Sequence, residues 1–188
     1  NLRGGYREAS VRLDAFINQK MCRYERERND PNQDALSGLS PYLHFGQISP
    51  VEIALKALQQ HTEIAETFLE ELIVRRELSM NHALFNPKFD QYEGLPDWTI
   101  RTLKEHEKDP REYLYTAEDF ELAKTHDKYW NAAQNQMIAT GKMHGYMRMY
   151  WGKKIIEWTK TPQEAFKIIL CLNNRYEIDG RDPNGFTG

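Results

Sequence analysis

Cysteine is nearly missing: Cys22 and Cys171 are the only two among 188 residues. They lie far apart and neither has metal-ligand spacing, which argues against a disulfide framework and a thiolate metal centre. The six histidines, at 44, 61, 82, 106, 126 and 144, are scattered and form no His-x-x-x-His pair, so no metal is expected. No apolar run approaches the roughly 20 residues that span a bilayer, and Asn1-Leu-Arg-Gly-Gly-Tyr6 has no leader pattern. An excess of one charge is missing too. The formal net charge is −3, so any binding to phosphate must come from a local patch rather than a global field. There is no P-loop, no GxGxxG and no serine in a nucleophile elbow, and no stretch alternates with period two. These absences lead to the expectation of a reduced, intracellular, all-helical protein without a membrane partner.

Aromatic residues are plentiful, with 4 tryptophans and 10 tyrosines, which suits stacking as well as packing. The most informative stretch is Gly141-Lys-Met-His-Gly-Tyr-Met-Arg-Met-Tyr-Trp-Gly-Lys-Lys-Ile-Ile-Glu-Trp158. Here His144, Arg148, Trp151, Ile155 and Trp158 recur at steps of three and four, one stripe of a helix. Ordinary core stripes are aliphatic, so a cation, an imidazole and two indoles on one face suggest a flat or anionic ligand. The plainer reading is a buried helix with two large aromatics and a solvated basic edge at Lys142, Lys153 and Lys154.

Along the chain, Leu13, Phe16, Ile17, Met21 and Tyr24 predict one helix over about 8–28, ended by Asp30-Pro31. The stretch 35–46, a small-residue loop leading into a short apolar turn, offers serine hydroxyls and glycine backbone to an anion, or is simply a surface loop. Ser49-Pro-Val-Glu52 reads as a capping box opening a helix to about Gln60. A longer helix over 63–82 puts Phe68, Glu71 and Arg75 on one face, where Glu71 and Arg75 can form a routine ion pair. Further helices are expected over 97–107, after the cap at Thr116, and from Asp127 to a stop at Gly141. The last opens at the box Thr161-Pro-Gln-Glu164 and runs to about Asn173. A paired-carboxylate hydrolase built on Glu70, Glu71 and Asp179 is not singled out by spacing. Arginine beside indoles and tyrosines fits phosphate recognition with stacking on a planar ring, as for a nucleotide-like cofactor or a nucleic acid.

Five segments carry a resemblance. They are Leu36-Ser-Gly-Leu-Ser-Pro-Tyr-Leu-His-Phe-Gly46, Phe68-Leu-Glu-Glu-Leu-Ile-Val-Arg-Arg-Glu77, Thr125-His-Asp-Lys-Tyr-Trp-Asn-Ala-Ala-Gln134, the stretch 141–158, and Asp179-Gly-Arg-Asp-Pro-Asn-Gly185. Their order resembles that in class II cyclobutane pyrimidine dimer photolyases, over essentially the whole chain. The resemblance implies an all-α, photolyase/cryptochrome-type FAD-binding domain over residues 1–188, acting as a monomer on DNA that contains pyrimidine dimers. It implies that reduced FAD donates an electron under blue light to a flipped dimer and recovers it after the ring splits. The family's N-terminal α/β domain, which can carry an antenna pigment, and its C-terminal continuation are expected outside this chain.

Residue by residue, the resemblance assigns Tyr24 and the loop Ser37, Gly38, Leu39, Ser40 to the FAD phosphates and ribityl chain, with Phe68 beside the cofactor. Arg75 and Arg148 supply charge near it, Asp179 faces the flavin or its sugar chain, and Asn173 lies at the reactive edge of the ring. Glu71 reaches the dimer, Met149 borders it, and Arg28 contacts DNA backbone. Trp151, Trp130 and Trp158 match the family's photoreduction chain, with Tyr150 and Tyr115 as side candidates. Seven residues from Trp151 to Trp158 correspond to roughly 10 Å of helical rise, and the expected path leads in from the surface at Trp158. Two other classes compete: a cryptochrome-like blue-light receptor acting through protein partners, and a helical DNA-binding module without flavin.

Overall fold

The computed structural model describes residues 2–60 and 62–187; Asn1, His61 and Gly188, which figure in the reading above, lie outside them. Among the described residues the regular structure is helical, with no strand. Contacts divide the chain into two compact units, 1–80 and 81–188.

The first unit begins with α1 (Tyr6–Gln19) and α2 (Met21–Glu27). The single helix expected over 8–28 is therefore two. Lys20, at φ −121°, ends the first while its N–H still reaches Phe16 O at 2.9 Å. The break re-aims α2 so that Met21 and Tyr24 enter the same core as Ala9, Leu13 and Phe16. The following loop is tied back by Lys20 to Asp34 at 2.6 Å and leads into α3 (Ser40–His44).

Helix α4 (Pro50–Leu58) starts under Ser49, whose Oγ accepts from Val51 N at 3.2 Å. The cap is real, but the reciprocal box is not the one expected, because Glu52 accepts instead from the Tyr6 hydroxyl at 2.8 Å. Helix α5 (Thr62–Leu69) then widens into a π-helical turn, Glu70–Arg75, and continues as α6 (Arg76–Phe85). A π turn advances the backbone by about one extra residue per turn, so it shifts the face on which later side chains stand.

Three rings centre this core: Phe16 meets Tyr24 and Phe68 at 5.6 and 4.7 Å, and Tyr24 meets Phe68 at 5.6 Å. Burying one such ring contributes about 2–3 kcal/mol.

In the second unit a 3-10 turn at Tyr92–Gly94 precedes α7 (Asp97–Glu105). Helix α8 (Ala117–Glu121) carries a full capping box between Thr116 and Asp119. Helix α9 (Lys128–Thr140) is capped by Asp127, which accepts from Tyr129 N and Trp130 N at 2.8 and 3.1 Å, and ends at left-handed Gly141. A side chain on Gly141 would meet Ile178 Cγ1 at 2.5 Å, so close approach as well as φ demands glycine. Helices α10 (Gly145–Glu157), α11 (Pro162–Tyr176) and α12 (Asn184–Thr187) follow. Thr161 accepts from Glu164 N at 3.2 Å, the cap half of the expected box, and α11 runs three residues past the expected Asn173.

The core of this unit gathers Phe120, Trp130, Met137, Met143, Trp151, Ile155, Trp158 and Leu172. Two loops are zipped beside it: Ile178 N donates to Gly141 O at 2.9 Å, and Met143 N to Glu177 Oε1 at 2.8 Å.

Candidate functional site

In the first unit, Gly38 turns the loop at φ +65°, and a Cβ there would lie 3.5 Å from Nη1 of Arg12. Ser37 Oγ accepts from Leu39 N at 3.4 Å, Leu39 is buried, and Ser40 opens α3. Arg12 was not among the expected residues; its Nε donates to the Tyr42 hydroxyl at 2.9 Å, which holds the guanidinium beside the loop. Left-handed backbone, two hydroxyls and a fixed guanidinium form a donor set suited to phosphate.

Tyr24 and Phe68 are both in the core, and the Arg28 guanidinium lies 5.8 Å from the Tyr24 ring centroid. Burial raises the Tyr24 phenol above its ordinary value, partly offset by Arg28.

The expected Glu71–Arg75 pair does not form. Glu71 Oε1 binds Arg28 Nη1 at 2.5 Å, and Arg75 Nε lies 3.3 Å from Glu70 Oε1. The π turn explains the exchange, since Arg75 is five residues from Glu70 and faces it, while Glu71 is turned toward α2. Arg28 and Glu71, assigned separately by resemblance, are thus one ion pair with both groups partly in solvent. A groove of about 910 Å³ nearby is lined by Glu25, Glu63, Glu66 and Glu70. Four carboxylates make it a poor seat for an anion.

In the second unit, Asn173 is buried and its Nδ2 donates to Gly180 O at 2.7 Å. Asp179 receives Lys142 Nζ on both oxygens at 2.8 Å. The same ammonium lies 3.2 Å from Glu177 Oε2, an ion contact without hydrogen-bond alignment. Burial pushes the Glu177 carboxyl above its ordinary value, against the pull of Lys142 and Arg148. Arg148 stands half-buried on α10, and Met149 is 54% exposed. The sequence reading omits Glu177 and places Lys142 only on a solvated basic edge, whereas the structure pairs Lys142 with Asp179 and Glu177.

The tryptophans form one stack. Trp130 lies between the other two, parallel to Trp151 within 9° at 6.3 Å and edge-on to Trp158 at 6.2 Å. Trp130 Nε1 donates to Trp151 O at 3.0 Å, and Trp151 Nε1 to buried Gln134 at 2.8 Å. The 151-to-158 spacing along one helix is therefore bridged by an indole from α9. One expectation fails: Trp158 is 2% exposed, so the stack does not open to solvent there. Buried aromatic packing, the plainer reading of the stripe, is correct for Trp151, Ile155 and Trp158.

Both side candidates touch this region. The Tyr150 hydroxyl donates to Asp127 Oδ2; burial first, then that bond, pushes the phenol up to about 12. Tyr115 lies 5.8 Å from Trp158 and contacts His126.

No family model matches the chain. It is 58% identical over 186 residues to a deoxyribodipyrimidine photo-lyase of Methanothermobacter thermautotrophicus, covering 99% of the chain and 41% of that protein. It is 51% identical over 179 residues to one of Oryza sativa, covering 93% of the chain and 35% of the relative. The fold matches that of a bacterial class III photolyase from Agrobacterium tumefaciens, with a TM-score of 0.71 at 23% identity, over 97% of the chain and 36% of that structure. The chain thus spans about two fifths of the length of the first of these relatives. Over that shared segment, the chain is similar to photolyases.

Proposed function

We propose that this chain is the helical flavin-binding portion of a class II cyclobutane pyrimidine dimer photolyase, which repairs DNA under blue light. The observation that carries the reading is the 58% identity along 99% of the chain, with every assigned residue inside the matched length. The residues fit FAD: the Ser37–Ser40 loop with Arg12 suits its phosphates, and the stacked indoles suit an electron path toward a flavin. The chemistry that bound, reduced FAD supplies is light-driven donation of one electron to the dimer.

The chain's own residues take the remaining roles. Ser37, Gly38, Leu39 and Ser40 bind phosphate and ribityl oxygens, with Tyr24 and Phe68 as a rigid apolar wall. Arg75 and Arg148 add positive charge, and Asp179, held by Lys142, accepts from the cofactor's polar groups. Asn173 presents its amide at the reactive edge of the ring. Arg28 binds backbone phosphate, Met149 packs on the lesion, and Glu71 accepts from a base N–H or, when protonated, donates to it. Trp151, Trp130 and Trp158 relay electrons that keep the cofactor reduced. Cys22 and Cys171 are both exposed free thiols, which suits a reducing, intracellular setting, and the protein acts as a monomer.

The test is direct. Purified protein should be yellow with a flavin spectrum and should remove dimers from DNA only in the light. A protein that binds flavin, is reduced, and leaves dimers intact under blue light would overturn the repair reading. Lack of bound flavin would overturn the cofactor assignment.

A further inference from the structure

The indole stack ends at Tyr115, a side candidate above, which is paired with His126, a residue that none of the roles above uses. His126 holds the Tyr115 oxygen twice: its backbone N–H donates to it at 2.9 Å, and its Nδ1 lies 2.8 Å away. With the imidazole proton on Nε2, the Tyr115 hydroxyl donates to Nδ1. The imidazole stacks on Tyr113 at 3.8 Å and meets Trp158 edge-on at 4.9 Å, and it is exposed. From the buried Trp151 outward, the contacts run through Trp130 and Trp158 to Tyr115, His126 and solvent.

We propose that His126 is the proton acceptor of a proton-coupled exit from the stack, in which Tyr115 gives an electron to oxidised Trp158 and its hydroxyl proton to His126 Nδ1. The inference rests on the reading of the indoles as an electron path. The step starts from an oxidised indole, and photoexcited oxidised flavin, when bound, would be the oxidant that supplies it. One electron then leaves the phenol and restores neutral Trp158, and the O–H proton moves to Nδ1. The products are a neutral tyrosyl radical and an imidazolium, and the single positive charge of the indole radical cation is conserved.

A phenol that loses only an electron is a very strong acid, so a base must already be in contact for the hole to rest on Tyr115. An exposed imidazolium then passes its proton to water. Tyr150 has a different partner. Asp127 uses its other oxygen to cap α9, and a carboxylate is a weaker base than an imidazole.

The test illuminates protein carrying oxidised flavin and identifies the radicals by electron paramagnetic resonance and transient absorption. The parent should form a tyrosyl radical with a solvent deuterium effect, and Tyr115→Phe should leave only indole radicals. His126→Gln keeps the backbone N–H and can accept a hydrogen bond but cannot hold the proton. It should slow tyrosyl formation by about 100-fold, the low end of what a placed proton acceptor contributes. In His126→Gly, added imidazole should restore it. In flavin-free protein, Tyr115→Phe should move the nitrogen resonance of His126 Nδ1. Unchanged tyrosyl formation in His126→Gln would overturn the proposal, as would indole radicals without tyrosyl in the parent. A parent that binds flavin yet forms no indole radical would overturn the electron-path reading and this inference together.

Discussion

Arg28 and Glu71, 43 positions apart, form an ion pair with Nη1 2.5 Å from Oε1, at the end of α2 and in the π turn. Both side chains are partly in solvent, so the pair contributes little to stability, about 0–1 kcal/mol. A pair that stabilises so little is available for other contacts, and on the proposed reading DNA phosphate competes for Arg28 and a base for Glu71. Glu71→Ala should therefore melt within a few degrees of the parent and lose repair. Arg28→Ala should weaken binding to DNA of any sequence and lower the salt dependence by about one charge. Melting curves, repair rates and binding titrations across salt check both. A variant that loses repair only because it unfolds would contradict the assignment.

Trp130 is the middle of the indole stack, and it also donates to Trp151 O. Trp130→Phe and Trp158→Phe should each slow photoreduction of oxidised flavin and spare repair by protein reduced beforehand. Trp130→Phe should also lose about 1 kcal/mol for the missing hydrogen bond. Flash photolysis and thermal melts separate the two effects. Photoreduction at the parent's rate in either variant would remove that indole from the path.

Gly141 combines a left-handed φ of +73° with a Cβ position 2.5 Å from Ile178 Cγ1. Gly141→Ala should destabilise the protein by about 1–3 kcal/mol. Removing both contacting atoms in Gly141→Ala/Ile178→Ala should recover part of that loss, the share caused by contact rather than by φ. Chemical denaturation of the parent, the two single variants and the double variant measures it. Additive losses would show that the contact carries none of the cost.

Glu177 has its carboxyl raised, first by burial, and such a group favours the folded state most below the ordinary carboxyl value of 4.5. Its contribution is lost as pH rises through the folded value. Glu177→Gln keeps an acceptor for Met143 N and removes that titration. The melting temperature of the variant relative to the parent should thus climb as pH rises from acid to neutral. A difference that is flat or falls with pH would contradict the burial of this carboxyl.

Periodicity and caps reveal much of the fold. Asp127, Thr116, Thr161 and Gly141 each start or stop a helix where expected. What escapes is where the regular period is broken. Lys20 splits a continuous apolar stripe because the core, not local preference, re-aims Tyr24. The π turn after Leu69 looks like ordinary helix in sequence, yet it decides that Glu71 faces Arg28 and not Arg75. The spacing of Trp151 and Trp158 is legible on one helix, whereas the insertion of Trp130 between them is a tertiary fact. Arg12, Lys142 and Glu177 matter through partners remote in sequence, which no local pattern encodes.

Light-driven repair by these residues is read from the loss of dimers. Protein with bound, reduced FAD is mixed with dimer-containing DNA, and the dimers are counted before and after blue light. Loss is expected in the light, none in the dark, and none in the light with Glu71→Ala. Dimers that persist in the light with flavin bound and reduced would contradict it.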